Sequence, residues 1–441
     1  MDANKVGLGD ISFYVPPNAM ILSVLVARRI ADNPELKKHL ERALQTTGQR
    51  ELRFPSPQED TATMASEAAR ALLSANVSEK TQSLRWLVTG TETGLDHSKP
   101  VAAYVQGMLA KAGLPVPSSL ATFQVQHACA GASMGLLSVA ALLSISRESR
   151  DTGLVIASDI SRYALKSTAE ITQGAGAVAM LVERDPRLLG FDPASAGLCS
   201  RDVDDFFRPL GSSIARVKGG YSMECYLQSL DEAWGDHASR LGVSRAEQFR
   251  SIDAVVLHTP FRNMPEIAMK RLLEKDLGLD EAGALAWLEE RSFFESVDII
   301  ADIGNSYSAS LFILLANTLR VLRKRHGDAV VGKRLLLASY GSGNVMTVWT
   351  ATVMPGAPPV IDSWDLDSAM AGRRAATMDD YDRWTSGYEP DAADAPAAPT
   401  GAAAPTGAAA PTGAAAPTGA AAQGSFALLG IRADGYREYG Y

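Results

Sequence analysis

The segment FQVQHACAGASMGLL, at residues 123–137, decides how this chain folds. An extended run leads to Cys129, and a series of small residues then opens an apolar helix. A similar segment, VDIIADIGNSYSASLFILL at 297–315, places Asn305 at the start of another helix much later in the chain. The pattern of an extended run, a polar turn residue and a helix start therefore occurs twice, with Cys129 at the turn in one copy and Asn305 in the other.

Two further pairs of segments keep this order and nearly this spacing. LRWLVTGTET (84–93) places Glu92 after an apolar run, and DAVVLHTPF (253–261) places His258 in the matching position. QGAGAVAMLVE (173–183) and YGSGNVMTVWT (340–350) are glycine-rich turns that enter strands. The members of each pair lie about 170 residues apart, and internal similarity at a nearly fixed period predicts a duplicated fold. We expect the two copies to deliver loop residues to one cleft.

Composition excludes several classes of protein. With 441 residues, 46% of them hydrophobic and 21% charged, the chain can form one large core or two fused domains. The net charge of −8 comes without a basic stripe, so no nucleic acid partner is expected. Three cysteines fit a reducing cytosol better than a disulfide framework. No signal-like N-terminus and no apolar run of roughly 18 residues is found, so we expect a cytoplasmic protein without a membrane partner.

Alternating strand and helix patterns predict a mostly parallel, layered α/β sheet. A first strand in KVGLGDISFYVPP precedes a helical pattern at 21–44. The predicted divisions are an N-terminal half (1–188), an active-site insertion (189–222) and a C-terminal half (223–358). A surface helical segment (359–390), a flexible insert of PTGAAA repeats (391–424) and a tail that docks on the body (425–441) follow.

Four polar residues are the candidates for chemistry. A cysteine at a helix start has its thiolate favoured by the helix field, which suits Cys129 to nucleophilic catalysis, although a buried structural cysteine is equally expected from position alone. Glu92 can take and return a proton if it is shielded from water, or can instead cap a helix. His258 and Asn305 stand at the corresponding turns of the second half, and the amide of Ser342 is a candidate for an oxyanion hole. The other histidines show no metal-ligand spacing, so no metal site is predicted.

Read together, these segments resemble the thiolase-like superfamily and, within it, the 3-hydroxy-3-methylglutaryl-CoA synthases. The motifs that carry the resemblance are ISFYVP, TGTET, ACAG, SDISRYA, TQGAGAVAML, DFFRP, HTPF, GNSYSASL and SYGSG, and they span nearly the whole chain outside the PTGAAA insert. The resemblance implies two duplicated halves in a layered αβαβα architecture and a homodimer. It also implies an acyltransferase of the mevalonate pathway that uses acetyl-CoA and acetoacetyl-CoA and no further cofactor.

By the same resemblance, Cys129 carries the acetyl group, Glu92 is the general acid/base, and His258 takes part in catalysis. The implied substrate-binding or supporting residues are Asn305, Ser342, Tyr163, Asp159, Thr172 and Ser222. Two positions depart from the family pattern: Ala130 follows the nucleophile where an aromatic Tyr is usual, and Asn263 replaces a basic residue, with Arg262 next to it.

Three other functions stay open at this point. A relative acting on acyl-carrier-protein substrates in polyketide β-branching would use the same chemistry. A ketoacyl synthase of the type that starts fatty-acid synthesis also uses Cys, His and Asn, but decarboxylation generates its carbanion, so it needs no residue like Glu92. A catalytically silent scaffold of the same fold, tethered through the repeats, is the third.

Overall fold

The computed structural model describes residues 6–76, 79–114, 116–386 and 424–441. The strands in these ranges are β1 (Val6–Tyr14), β2 (Asn18–Ile21), β3 (Glu51–Phe54), β4 (Leu84–Gly90), β5 (Ala121–Val125), β6 (Thr152–Ile160), β7 (Ala175–Arg184), β8 (Leu189–Phe191), β9 (Gly197–Ser200), β10 (Phe206–Phe207), β11 (Arg216–Val217), β12 (Ala254–Leu257), β13 (Arg334–Gly341), β14 (Val345–Val353), β15 (Arg374–Ala375), β16 (Ala427–Ile431) and β17 (Arg437–Gly440).

The α-helices in the same ranges are α1 (Leu22–Asp32), α2 (Lys37–Thr47), α3 (Thr61–Ala75), α4 (Glu79–Gln82), α5 (Val101–Lys111), α6 (Gly131–Ile145), α7 (Gly219–Leu241), α8 (Arg245–Arg250), α9 (Met264–Leu277), α10 (Glu281–Glu290), α11 (Phe293–Val297), α12 (Ser308–His326), α13 (Ala357–Asp362), α14 (Leu366–Ala371) and α15 (Met378–Thr385). The helical pattern predicted over 21–44 divides at Asn33 and Pro34, because proline lacks the amide that would continue the first helix.

One large mixed sheet organises the chain. Its strands follow the order β12-β13-β14-β8-β1-β7-β6-β4-β5, and β9 pairs with β14 beside that path. The predicted mostly parallel sheet is wrong. Only β4 with β5, β4 with β6, and β12 with β13 are parallel within it, whereas β7 and β14 each run antiparallel to their neighbours. Antiparallel pairing is available because no α-helix crosses over between β6 and β7 or between β13 and β14.

The topology shows the duplication directly. The first half has the strand order β1-β7-β6-β4-β5, and the second half has β8-β14-β13-β12, which is the same order with its last position missing. In the second half, the 3₁₀ helix Asp298–Asp302 takes the place in the chain that β5 has in the first half. Both terminal carboxylates of this helix contact the Arg50 guanidinium, at 3.0 and 2.7 Å. In a strand they would stand about 13 Å apart and could not both reach it.

The predicted boundary of the active-site insertion is also wrong. Residues 189–200 form β8 and β9, which belong to the main sheet and are the counterpart of β1. Glycine-rich sequence suggested a loop there, but these short strands are enclosed by β1, β14 and α7. The polar, irregular segment is therefore narrower, at 201–218, and contains the two-stranded hairpin of β10 and β11.

Helices α6 and α12 contact each other and pack on the main sheet. The whole stretch 308–319 of α12 is buried, as is most of α6. By length and composition the segment Ala128–Ile145 is apolar enough to cross a membrane. Its buried side chains pack instead against β4, β6 and β7, so this hydropathy reflects a place in the protein core.

Helix α15 and the hairpin of β16 and β17 lie on either side of the PTGAAA repeats, which fall outside the described residues. Tyr381 of α15 is fully buried, so this segment is not only a surface helix. The hairpin contacts the body at Asp60, the N-cap of α3, which accepts hydrogen bonds from Tyr439 Oη at 2.8 Å and Arg437 at 3.2 Å. The chain thus returns to the first half after the repeats.

Candidate active site

Cys129 lies in the tight connection between β5 and α6, where backbones from both halves converge. Ala128 before it has φ of +40°. A Cβ on Gly90, at the end of β4, would lie 2.0 Å from the Ala132 nitrogen at the start of α6. A Cβ on Gly341, at the end of β13, would lie 2.4 Å from the His127 carbonyl oxygen. Only glycine permits these approaches, so the nucleophile loop is fixed against a strand end of each half.

Glu92 is the residue that meets Cys129. Its Oε1 lies 3.6 Å from Cys129 Sγ, and its side chain is only 6% exposed. The two residues follow neighbouring parallel strands, β4 and β5, whose carboxyl ends share one edge of the sheet. The structure therefore brings together the predicted nucleophile and the predicted acid/base.

Asp159, at the end of β6, fixes the loop that carries Glu92. Its Oδ1 accepts hydrogen bonds from Thr91 Oγ1 at 2.7 Å, from the amide of Glu92 at 3.0 Å, and from the amide and hydroxyl of Thr93 at 3.2 and 2.8 Å. Its Oδ2 accepts from the amide and hydroxyl of Ser308 in the second half, at 3.2 and 2.7 Å. This fully buried carboxylate supports the site from behind and holds the two halves together.

Burial dominates the proton affinities in the site. The pKa of Glu92 is raised to about 8: burial is the largest cause, Arg208 opposes it, and Asp159 adds to the rise. Burial also raises the pKa of the Cys129 thiol, with the Glu92 carboxylate adding to the shift. In the free protein, burial therefore outweighs the helix field that was expected to favour a Cys129 thiolate. The thiol needs a base when it reacts, and Glu92 is adjacent.

His258 follows β12 and is neutral in this site, because complete burial lowers its pKa to about 3. Its Nδ1 lies 3.1 Å from Ser310 Oγ, which is also 2.9 Å from the Tyr307 carbonyl oxygen. When the Ser310 proton points to that carbonyl, Nδ1 must carry the imidazole proton and Nε2 is an acceptor. When the hydroxyl turns to Nδ1, Nε2 becomes a donor. Ser310 thus controls the tautomer of His258.

Asn305 lies just before α12 and forms a polar group with Tyr163. Its Nδ2 donates to Tyr163 Oη at 3.3 Å, and its Oδ1 accepts the amide of Tyr307 at 2.9 Å. Tyr163, Tyr307 and Cys129 belong to one small buried cluster, so Asn305 borders the pocket of the nucleophile. Tyr307 has φ of +46°, and its buried hydroxyl has no hydrogen-bond partner among the described residues.

Thr172, Ser222 and Ser342 are the remaining predicted site residues. Thr172 supports Asn305 through its carbonyl oxygen, which accepts the Asn305 amide at 2.9 Å. Ser222 at the start of α7 donates to Asp205 at 2.9 Å, and Asp205 in turn accepts the amide of Gly343 at 2.8 Å. Ser222 therefore supports the turn that carries Ser342. That turn borders the nucleophile loop, because Gly341 directly before Ser342 contacts it.

The arrangement can perform one kind of chemistry well. It combines a shielded nucleophile, a carboxyl group that exchanges protons near neutral pH, and uncharged hydrogen-bonding groups from the second half. Within the described ranges, no group of three or more His, Cys, Asp or Glu side chains is placed to hold a metal ion.

Family models match both halves of the chain. The model of the hydroxymethylglutaryl-coenzyme A synthase N terminal matches residues 6–186, and that of the C terminal matches 189–286 and 288–390. The chain belongs to the hydroxymethylglutaryl-CoA synthase family. It is accordingly an acyltransferase of the kind that joins acyl-CoA units through a carbon-carbon bond, on a thiolase-like α/β fold.

Individual relatives agree with this membership. The chain is 30% identical to the hydroxymethylglutaryl-CoA synthase of Enterococcus faecalis over 351 residues, 80% of this chain and 84% of that one. It is 26% identical to the polyketide biosynthesis 3-hydroxy-3-methylglutaryl-ACP synthase PksG of Bacillus subtilis, with 74% and 77% covered. A solved structure of MvaS in complex with 3-hydroxy-3-methylglutaryl coenzyme A superposes with a TM-score of 0.80 at 32% identity, covering 100% of this chain and 99% of that one.

One polar residue of this synthase site was missed by the sequence reading. Arg208, in the loop between β10 and β11, is paired with Glu92 Oε2 at 3.3 Å and donates to the Glu92 carbonyl oxygen. The motif DFFRP was recognised, but an arginine in an irregular loop gives no sign of a partner 116 residues away. The only sign of its role in the sequence was that Arg208 is the basic residue of the recognised DFFRP motif.

Proposed function

We propose that this synthase condenses acetyl-CoA with acetoacetyl-CoA and hydrolyses the enzyme thioester, giving 3-hydroxy-3-methylglutaryl-CoA and CoA. The contact between Glu92 and Cys129 carries this proposal. A buried carboxyl group 3.6 Å from the thiol, with its pKa near 8, suits a reaction in which a proton must leave an acetyl methyl group. A decarboxylating ketoacyl synthase has no such proton to remove.

In the first step, the sulfur of Cys129 attacks the carbonyl carbon of acetyl-CoA while its proton passes to Glu92. The tetrahedral intermediate then collapses, the bond to the CoA sulfur breaks, and CoA takes up the proton and leaves. The acetyl group is now a thioester on Cys129. The amides of Cys129 and Ser342 are our candidates for stabilising the oxyanion.

In the second step, the Glu92 carboxylate removes a proton from the acetyl methyl group. The resulting carbanion attacks the ketone carbon of acetoacetyl-CoA, and the new alkoxide regains the proton from Glu92. His258 and Asn305 would hold the acetoacetyl group by hydrogen bonds. Water finally cleaves the thioester, which frees the Cys129 thiol and leaves a carboxylate on the product. These steps balance without a metal ion or a redox cofactor.

Intact-protein mass spectrometry tests the assignment of roles. We expect an acetyl adduct on Cys129 after acetyl-CoA, and its discharge into hydroxymethylglutaryl-CoA when acetoacetyl-CoA is added. Glu92→Ala should slow the discharge by several orders of magnitude, and a protein loaded chemically on Cys129 separates that defect from slow acetylation. Discharge at a near-normal rate would contradict the role of Glu92. Failure of Cys129 to react with acetyl-CoA or an alkylating reagent would favour the scaffold.

A carrier-protein substrate is the second candidate, and the surroundings of Asn263 favour it. The Asn263 side chain donates to the Thr46 carbonyl oxygen at 3.1 Å and accepts from Arg262 at 3.0 Å, so it is held in the fold. Arg262 also lies 3.6 Å from Asp298 and 3.7 Å from Glu266, which offset its charge. The basic residue that usually contacts a coenzyme phosphate is thus replaced by Asn263, and the charge of the adjacent Arg262 is partly neutralised.

A nearby groove is the other candidate site for the phosphates of a coenzyme. It measures about 620 Å³, and it is lined by three arginines as well as two carboxylates, at Arg50, Arg53, Arg373, Glu51 and Asp302. The groove contains neither Cys129 nor Glu92, and Arg50 and Arg373 in it are paired with Asp302 and Glu51, so their charges are offset as that of Arg262 is. Turnover of free acetoacetyl-CoA compared with carrier-loaded acetoacetate distinguishes the two substrates. Arg262→Gln should raise KM for the CoA substrate only.

Two features of the whole protein complete the proposal. We expect a homodimer, and light scattering at micromolar concentration that gave a monomer would contradict it. We also expect a cytoplasmic enzyme of the mevalonate pathway, consistent with three free cysteines and the cofactor-free chemistry.

A further inference from the structure

Arg208 holds Glu92 at two points. One nitrogen of its guanidinium, Nη2, lies 3.3 Å from the Glu92 carboxylate, and the other, Nη1, donates to the Glu92 main-chain carbonyl. Asp159 holds the amide of the same residue from the opposite side, at 3.0 Å. Rotation of the loop that carries Glu92 would have to break these contacts, so its carboxylate is confined to the side facing Cys129.

Arg208 is also a cation that acts on Glu92. The other titratable groups recorded as interacting with this carboxylate, among the described residues, are neutral or acidic: Cys129, Asp159, Tyr163 and Tyr307. Arg208 is 15% exposed, and its guanidinium carbon lies 5.9 Å from the centre of the Tyr307 ring. Water therefore screens this ion pair little, and removing its positive charge would leave a buried carboxylate with no counterion.

The guanidinium retains bonding capacity. Its Nε is buried and has no hydrogen-bond partner among the described residues, as is true of the Tyr307 hydroxyl beside it. Arginine has five N–H donors in a rigid fork, so one group can contact a carboxylate, a carbonyl and a further acceptor together. A lysine could supply the charge but not this geometry.

We propose that Arg208 is a positioning residue for the condensation step: it orients the Glu92 carboxylate toward the acetylated Cys129 and favours its ionised form. Arg208 thereby couples the loop at 201–218 to proton transfer. This inference rests on the proposed function of Glu92. It goes beyond that function by assigning the residue that makes Glu92 a competent base.

The test is the pH dependence of the condensation rate for Arg208→Gln and Arg208→Lys. Without the cation, Glu92 should ionise at higher pH, so the rising limb of the Arg208→Gln profile should move up by at least one pH unit and the rate near pH 7 should fall about tenfold or more. Arg208→Lys should restore the position of the limb but not the full maximal rate. Acetylation of Cys129 also uses Glu92 as a base, so protein loaded chemically on Cys129 is used to measure condensation alone.

Lys218→Gln is the matched control, because Lys218 is an exposed cation of the same loop region paired with Asp204. It should leave the profile in place. A profile of Arg208→Gln that coincides with wild type, or a shift of equal size in the control, would refute the proposal. If Arg208→Gln does not fold, infrared difference spectra can report the protonation of Glu92 in Arg208→Lys and in wild type, with Glu92→Gln as the reference for both. A largely protonated Glu92 in Arg208→Lys at pH 8 would refute the proposed effect of the positive charge.

These outcomes are distinct from failure of the proposed function. If Glu92→Ala condensed normally, the function of Glu92 would be wrong whatever Arg208 did. If Glu92→Ala were inactive and Arg208→Gln had an unshifted profile, only the present inference would fail.

Discussion

The Glu92 carboxylate should make the folded protein less stable as the pH rises toward the range where it can act as a base. Its pKa is about 8 in the folded protein, against 4.5 for an ordinary glutamate. Between these values the folded state binds a proton that the unfolded state has released, so the free energy of unfolding falls with increasing pH. The stabilisation by the protonated carboxyl is complete below about pH 4.5 and lost above about pH 8.

The magnitude follows from the size of the shift. A shift of 3.5 pKa units corresponds to about 5 kcal/mol at its limit, because each unit contributes about 1.36 kcal/mol. Between pH 5.5 and pH 8.5 the expected loss is about 3 kcal/mol. The side chain is only 6% exposed, so solvent screening reduces this figure little.

Glu92→Gln isolates the effect, because the amide has nearly the same shape and does not titrate. Urea unfolding, followed by tryptophan fluorescence, should show the variant gaining stability relative to wild type by about 3 kcal/mol from pH 5.5 to pH 8.5. Titrating groups that do not interact with Glu92 cancel in this difference. Glu274→Gln, which removes an exposed carboxylate on α9, should show no such change. A constant difference between Glu92→Gln and wild type would refute the assignment of a raised pKa.

Three further outcomes are expected. Cys129→Ala should form no acetyl adduct by intact mass while retaining the wild-type circular dichroism spectrum. Gly90→Ala should lower the free energy of unfolding, measured in urea, by about 3 kcal/mol or more, because the new methyl group would clash with the backbone of α6. Gly107→Ala is the control: Gly107 has open space around it, so the free energy of unfolding should change by less than about 1 kcal/mol. Ser310→Ala should slow condensation about fivefold by loosening His258, an effect worth about 1 kcal/mol, and Ser310→Thr should recover most of the single-turnover rate.

Sequence predicted the parts of this molecule that are encoded locally. Glu92 and Cys129 each follow a strand and precede a turn, so their pattern indicated both the positions and the shared edge of the sheet. The nearly constant spacing of the paired segments likewise predicted the two halves, whose strand orders agree. Shielding of Glu92 from water was stated as the condition for proton transfer, and the sequence itself did not predict it.

Features that depend on distant partners could not be predicted. Arg50 contacts both ends of the 3₁₀ helix Asp298–Asp302 from far away in the first half of the chain, and the local sequence of neither segment indicates this contact. Short strands such as β9 are recognisable only from the neighbour they pair with. The effect of burial on Cys129 likewise required the surrounding atoms, because the helix start alone suggested the opposite shift.

The divided bonding of Asp159 has a consequence for the history of the duplication. One of its oxygens is satisfied by the first half and the other by Ser308 of the second. Separating the halves would break both hydrogen bonds between Asp159 and Ser308 and would expose the faces of β6 and β7 on which α12 packs. Even if the ancestral halves folded alone, each present half now needs the other for its stability. We therefore expect the two halves to unfold in a single cooperative transition.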